Sequence, residues 1–384
     1  MTESVEMAHV RDQALEIARG WSGPDAPASW RLTAAMFEHL AADPTLLAQA
    51  ATIPALRLPA LLFVASVQYA VAAHPDDPLA AYYPQPGRRE RPVDEQLGAR
   101  LSDFCSTRRD ELAAIWRGHL YQMNEVARCT QITLALGVLS SLQPGRDLAI
   151  VDVGTGSGLG MYPDRYRYEL SDGRQFGDPR SSVAIHCLID GDLPPHLPVA
   201  LRITTRTGID ANPIALDHDA ACTWLAACVP PEAAAQFRLA AAIEVVRADD
   251  PRILRGDAIE LLPTVLAEVP AGPLIAVVDA YTSVFFDDAG RQRCAEIVAG
   301  CGQRRDVAWI SLDPLVPLGT EAQRSVQGLP VPARLVEQNR RGGVFALLSL
   351  VAHLDGQIEQ RLLATAHPSG TRMEWLDEST ADPP

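Results

Sequence analysis

The string Val151-Asp152-Val153-Gly154-Thr155-Gly156-Ser157-Gly158-Leu159-Gly160 constrains this chain more than any other. An apolar run, Leu148 to Val153, ends in an acid followed by alternating glycines. It reads as a buried parallel strand entering a tight turn and then a helix. Glycines let such a turn adopt positive φ and let a ligand approach the backbone closely. The dinucleotide fingerprint G-x-G-x-x-G would need a third glycine at 159 or 161, where Leu159 and Met161 stand. The pattern present is acid-x-G-x-G-x-G.

A chain of 384 residues can bury a large core, as two domains or one enlarged domain. Its net charge of −15 argues against a nucleic-acid partner, because a phosphate backbone calls for a basic face. No apolar run reaches membrane-spanning length; Leu58 to Ala73 is interrupted by Ser66 and Gln68. Met1 to Gly20 is mixed and charged, unlike a signal peptide, so the cytoplasm is the expected location. The seven cysteines form no C-x-x-C and no zinc pattern, so buried free thiols are expected and no metal site. Lysine is absent, which removes Schiff-base chemistry and the P-loop lysine.

Residues 1–145 read as a helical cap or lid domain. Ala28 to Ala51, broken at Pro44, and Pro54 to Ala73 carry helix-period apolar faces. Val93 to Arg117 and Leu120 to Leu142 are expected to be two further helices. From Leu148 strands and helices alternate, which implies a mostly parallel sheet over residues 146–367. Expected strands are Leu148–Val153, Thr207–Asp210, Arg252–Arg255, Leu274–Asp279, Val307–Leu312, Val344–His353 and Ile358–Ala366. The last two flank Asp355-Gly356, a strong hairpin signal, so the sheet should end in an antiparallel pair. Residues 163–206 are too many for one crossover and read as an inserted hairpin or arm, which either covers the site or makes a homodimer contact. Residues 368–384 look polar and Pro-ended, a tail expected to be disordered.

Ligands of an open α/β sheet bind at the carboxyl ends of its strands. That places Asp152, Gly154, Gly156 and Gly158 at the site, with Asp210 and Asn212 ending the next strand. An acid such as Asp210 can hold both hydroxyls of a ribose; Glu169 is the competing candidate, disfavoured because Pro163 breaks the helix it would need before it. Asp279 and Tyr281 end the fourth strand, on the substrate side. Tyr121, Asn124 and Arg128 would share one face of the Leu120–Leu142 helix, and Arg128 suits a ligand carboxylate. Tyr82, Tyr83, Tyr162, Tyr166 and Tyr281 are expected near the site, where ring faces stabilise cations. Asn124, Tyr162, Tyr166, Asp279 and Tyr281 are the catalytic candidates, with Glu125 a further possible base.

The glycine run resembles motif I of class I S-adenosylmethionine (SAM) methyltransferases. Gly208-Ile209-Asp210-Ala211-Asn212-Pro213 looks like their motif II and Arg255-Gly256-Asp257-Ala258 like their motif III. Together with Pro78-Leu79-Ala80-Ala81-Tyr82-Tyr83-Pro84, Asn124-Glu125-Val126-x-Arg128-Cys129 and Asp164-Arg165-Tyr166-Arg167-Tyr168, these strings resemble a bacterial family of unknown function. Its members look like SAM methyltransferases with a helical N-terminal domain. The resemblance implies a methyltransferase-like Rossmann sheet with SAM as cosubstrate or substrate. It also implies an adenine contact from Asp257 and the Ala258 amide. The leading expectation is methyl transfer to a small molecule held between helical cap and sheet. A sharper variant is cyclisation of SAM itself to azetidine-2-carboxylate with release of methylthioadenosine. Two rival readings are an NAD-dependent oxidoreductase, which the glycine spacing and the terminal hairpin oppose, and a non-catalytic SAM-binding protein.

Overall fold

The computed structural model describes residues 4–23, 27, 30–85, 87–197, 200–315, 317–318, 321–322 and 325–376. The chain divides into two compact units, Met1–Glu125 with Leu216–Leu239, and Val126–Ala215 with Ala240–Pro384. The division thus falls at 125/126 and not at 145, and the first unit also takes a later segment.

The first unit contains α1 (Val5–Trp21), α2 (Arg31–Ala42), α3 (Pro44–Ala50), α4 (Pro59–Ala73), α5 (Leu97–Thr107) and α6 (Arg109–Gly118). Asp43 separates α2 from α3: its Oδ1 accepts from the amides of Thr45 and Leu46, and Pro44 opens α3 where no amide donor is needed. Trp30, Phe37, Phe63 and Phe104 are buried in this unit's core. Tyr82 and Tyr83 are buried there as well: Tyr82 Oη donates to Asp94 and Tyr83 Oη to the Met36 sulfur.

The expected helix over Leu120–Leu142 is shorter than its sequence suggests. α7 spans only Cys129–Leu142, after a 3-10 turn at Val126–Arg128. The preceding segment is held by tertiary bonds instead of its own helical ladder. Trp224 Nε1 donates to the Leu120 carbonyl at 2.9 Å and Tyr121 Oη donates to the Cys228 carbonyl at 3.2 Å. Tyr121, Asn124 and Arg128 therefore share no helix face. Trp224 lies in α8 (Asp219–Ala227) and Cys228 caps its end; with the start of α9 (Ala233–Arg247) this helix completes the first unit.

The second unit is built on one sheet. Its strands are β1 (Leu148–Val153), β2 (Arg167–Leu170), β3 (Gln175–Gly177), β4 (Ala184–Asp190), β5 (Ile203–Asp210), β6 (Arg252–Arg255), β7 (Leu274–Ala280) and β8 (Val307–Pro314). Two small ladders follow, β9 (Pro317–Leu318) with β10 (Glu321–Ala322) and β11 (Ser325–Val326) with β12 (Leu329–Pro330). The sheet is completed by β13 (Ala346–Leu354), β14 (Gln357–Ala366) and β15 (Arg372–Trp375), in the order β3-β2-β4-β15-β14-β13-β8-β7-β1-β5-β6. β8, β7, β1, β5 and β6 run parallel, and β13 and β14 form the expected antiparallel hairpin. Asp355 and Gly356 turn it at φ 50° and 75°, the positive values a two-residue hairpin loop demands.

The central parallel strands β1, β7 and β8 are buried on both faces. α7 packs on the face of Ile150, Ala276 and Ile310, and α10 (Ala258–Glu268) with α11 (Asp288–Gly302) on the face of Val151, Val277 and Trp309. This explains why their sequences read as continuous apolar runs.

Residues 163–206 enter the sheet. β2 and β3 form a hairpin, and β4 pairs with β2 on one side and with β15 on the other. The tail expectation is corrected at the same place. Met373 and Trp375 are buried while Arg372 and Glu374 are half-exposed, a two-residue alternation that makes 372–375 a strand. Residues 377–384 lie outside the described residues.

Candidate functional site

Each of four neighbouring strands carries an aspartate in its last two residues: Asp313 on β8, Asp279 on β7, Asp152 on β1 and Asp210 on β5. The register brings those on adjacent strands within two residues of level. Val153 stands opposite Asp279 on one side and Ile209 on the other, and Asp279 stands opposite Ser311. All four acids are buried. Parallel pairing brings every carboxyl end to one edge, so a row of strand-ending acids becomes a cluster.

The turn after β1 has Gly154, Gly156 and Gly158 at φ 72°, 61° and 85°. These values explain the alternating glycines, since side chains in this region are strained. The Gly154 amide donates to the Ile209 carbonyl at 2.8 Å. The Gly156 amide donates to Asp210 Oδ2 at 2.8 Å, and the Asn212 amide to Asp210 Oδ1 at 2.7 Å. Asp210 therefore ties the turn after β1 to the turn after β5 with both oxygens. Each carboxylate oxygen has further lone pairs, so a diol can still be accepted there. Gly154 is also a close approach: a Cβ on it would meet Thr282 Oγ1 at 2.0 Å.

Burial raises the acids. Asp152, 5% exposed, is pushed up to about 7, chiefly by desolvation. The bond from Thr155 Oγ1, 2.6 Å, opposes this, and the charges of Asp210 and Asp279 add to it. Asp279, 2% exposed, rises to about 6 through burial, against donors from Trp309 Nε1 at 2.6 Å, the Ser283 amide and Ser311 Oγ. Asp313 rises through burial and then through Asp279. Ser283 links this pair, its hydroxyl donating to Asp313 Oδ2 and its amide to Asp279 Oδ1. Asp313 was not among the expected residues. Its signal was the same as that of its neighbours, an acid ending an apolar strand, in Ser311-Leu312-Asp313-Pro314.

Tyr281 follows β7 at φ 61°, in the left-handed region that aromatic residues avoid. The Arg128 guanidinium lies over its ring, and Arg128 Nε donates to the Pro368 carbonyl at 2.9 Å. Burial pushes the Tyr281 hydroxyl up to about 12, opposed by Arg128. Tyr162 is buried, and the guanidinium carbons of Arg165 and Arg206 lie 5.2 and 5.0 Å from its ring centre. Burial first, then Asp249, raises its hydroxyl. Tyr166 is committed to the fold, donating to the Leu159 carbonyl at 2.7 Å.

Other expected residues have separate roles. Asp257 is the N-cap of α10: its Oδ1 accepts from the amides of Ile259 at 2.8 Å and Glu260 at 3.1 Å, and Ala258 is the first helical residue. Glu169 lies on β2 beside His186 and Arg167, toward the far edge of the sheet. Asn124 belongs to the first unit, where its Nδ2 donates to the Gln122 carbonyl. Glu125, also in the first unit, pairs with Arg238 at 3.4 Å.

This donor set suits a nucleoside that carries positive charge. Asp210 offers acceptors for a diol, and the partly protonated acids would ionise beside a cation. Among the described residues no cluster has the makings of a metal site, and no helix is long and apolar enough to cross a membrane. Residues 19–375 match the family described as an uncharacterized protein conserved in bacteria (DUF2332). Comparison with curated proteins finds no match.

Proposed function

The chain belongs to that bacterial family, and we propose that it is a SAM-dependent enzyme that methylates a small-molecule acceptor. The observation that carries this reading is the Asp210 carboxylate, at the end of β5, bonded to Gly156 in the turn after β1. A carboxylate there can accept from both ribose hydroxyls, and the glycine turn leaves backbone open to close approach. SAM, when bound, supplies a methyl group activated by its sulfonium. The buried acids Asp152, Asp279 and Asp313 stabilise positive charge without offering it water. Asp279, raised to about 6, can take up a proton lost by the acceptor. Positioning then supplies much of the rate.

The test is calorimetry with SAM, followed by mass spectrometry of protein incubated with SAM. Saturable binding that Asp210→Ala weakens and Glu169→Ala leaves alone supports the reading. S-adenosylhomocysteine formed with an acceptor identifies methyl transfer. Methylthioadenosine formed with SAM alone assigns closure of the amino-acid chain instead. Absence of SAM binding overturns the proposal, and an absorbance change with a nicotinamide cofactor replaces it with oxidoreduction.

A further inference from the structure

We propose that Ser283 clamps Asp313 beside Asp279 so that Asp313 holds a proton and donates it in a hydrogen bond to Asp279, which alone carries the charge. Asp313 and Ser283 are then positioning residues for Asp279. The use of Asp279 as the base toward an acceptor rests on the function proposed above; the state of the pair does not.

The donors around the pair decide where the proton sits. Each oxygen of Asp279 faces a group that can only donate. Trp309 Nε1 gives its hydrogen to Oδ2 at 2.6 Å, and the Ser283 amide gives its hydrogen to Oδ1 at 3.4 Å. Ser311 Oγ adds a third bond, to Oδ1 at 3.2 Å. Such a cradle favours the carboxylate. Asp313 is placed differently. Ser283 Oγ donates to its Oδ2, while its Oδ1 is buried and accepts from no group. The two carboxyls are hydrogen-bonded to each other, and a bond between two carboxyls requires a proton on one of them. The Asp313 oxygen that accepts nothing is the one left to carry it. Ser283 holds both partners, its amide on Asp279 and its hydroxyl on Asp313, and Arg291 Nη1 fixes its carbonyl at 3.3 Å.

The surroundings make a second charge costly. Asp279 and Asp313 are 2% and 5% exposed, and Trp309, Ser311 and Ser283 are neutral. The other charged or titratable groups around the pair are Asp152 on β1, Arg291 and Cys294 on α11, and Tyr281 after β7 with Arg128 over its ring. Among the described residues neither arginine bonds either carboxyl: Arg291 donates to the Ser283 and Phe286 carbonyls, Arg128 to that of Pro368. Two buried carboxylates in contact, without a cation between them, do not both ionise. When Asp279 takes the proton of an acceptor, Asp313 keeps its own.

Infrared spectroscopy of the carboxyl groups tests this without any ligand, in an Asp152→Asn background that silences the other raised acid. At about pH 8, above the Asp279 step, the parent should show the carbonyl stretch of one buried protonated carboxyl, and Asp313→Asn should abolish it. Asp313→Asn should also leave the Asp279 step within about half a pH unit, because the new amide donates to Asp279 as the protonated carboxyl does. Ser283→Ala should raise that step by about one pH unit, as Asp313 loses its hold, and Ser283→Thr, which keeps the hydroxyl, should not. Absence of the protonated band in the parent, or its survival in Asp313→Asn, overturns the inference. So does a fall of the Asp279 step by about one pH unit or more in Asp313→Asn, which would mean that Asp313 had carried the charge. An unmoved step in Ser283→Ala overturns the clamp. Failure of SAM to bind sinks the proposed function alone, since no arm of the infrared experiment uses SAM.

Discussion

The guanidinium carbon of Arg128 lies 3.6 Å from the centre of the Tyr281 ring. The same side chain bonds the Pro368 carbonyl, so one residue joins the turn after β7 to the turn after β14. Arg128→Met keeps the stem and removes both contacts. It should cost about 2 kcal/mol, the sum expected of a buried cation–π contact and a charged hydrogen bond. Urea unfolding measures this; a loss below about 0.5 kcal/mol, the level of a neutral surface change, would show that Arg128 joins nothing.

Stability should fall as pH rises from 5 to 8. Asp152 stays protonated in the folded chain up to about 7, whereas its ordinary value is 3.8. The folded state therefore holds the proton more tightly, and its contribution is complete below the unfolded value and lost as pH climbs through 7. Each pH unit between the two is worth about 1.4 kcal/mol at most. Asp152→Asn cannot ionise and can still accept from Thr155. Its melting temperature should gain steadily on wild type from pH 5 to 8, and parallel curves for the two proteins would rule the account out.

Gly154→Ala combines strained φ with a clash. The left-handed backbone costs about 1–2 kcal/mol for a non-glycine residue, and the Thr282 hydroxyl stands where the new carbon must go. Adding Thr282→Gly should restore the steric part and leave the backbone part. Equal destabilisation of the single and double variants, measured by thermal melting, would mean that the clash is not what matters.

Asp257 and Asp210 separate a cap from a ligand contact. Asp257→Ala should cost about 1 kcal/mol of stability, the usual value of an N-cap, with Asp257→Asn retaining most of it. If Asp257→Ala instead reduces SAM affinity as much as Asp210→Ala does, the adenine contact implied by the family resemblance stands beside the cap.

The parallel half of the sheet was legible because burial on both faces writes itself as apolar runs. β1 begins and ends where the sequence places it. The acids at strand ends were legible for the same reason, apart from Asp313, which stands one residue beyond the expected end of its strand. The outer strands were not legible. β3 spans three residues and β15 four, and such lengths carry little periodicity. The start of α7 was hidden because local apolar spacing continues back through Leu120, while the bonds that hold Leu120 and Tyr121 outside the helix are made with Trp224 and Cys228, far along the chain.

β15 has a consequence for the order in which the chain is made. Among the described residues, β2, β3 and β4 connect to the other strands of the sheet only through residues 372–375, where Arg372, Met373 and Glu374 pair with Leu188, Ile189 and Asp190. A ribosome releases residues 167–190 long before it reaches 372. Through that interval the β4 edge waits for its neighbour, and this part of the sheet closes only once residues 372–375 have been made. An exposed strand edge is prone to wrong pairing, so a chain stopped just short of Arg372 should aggregate.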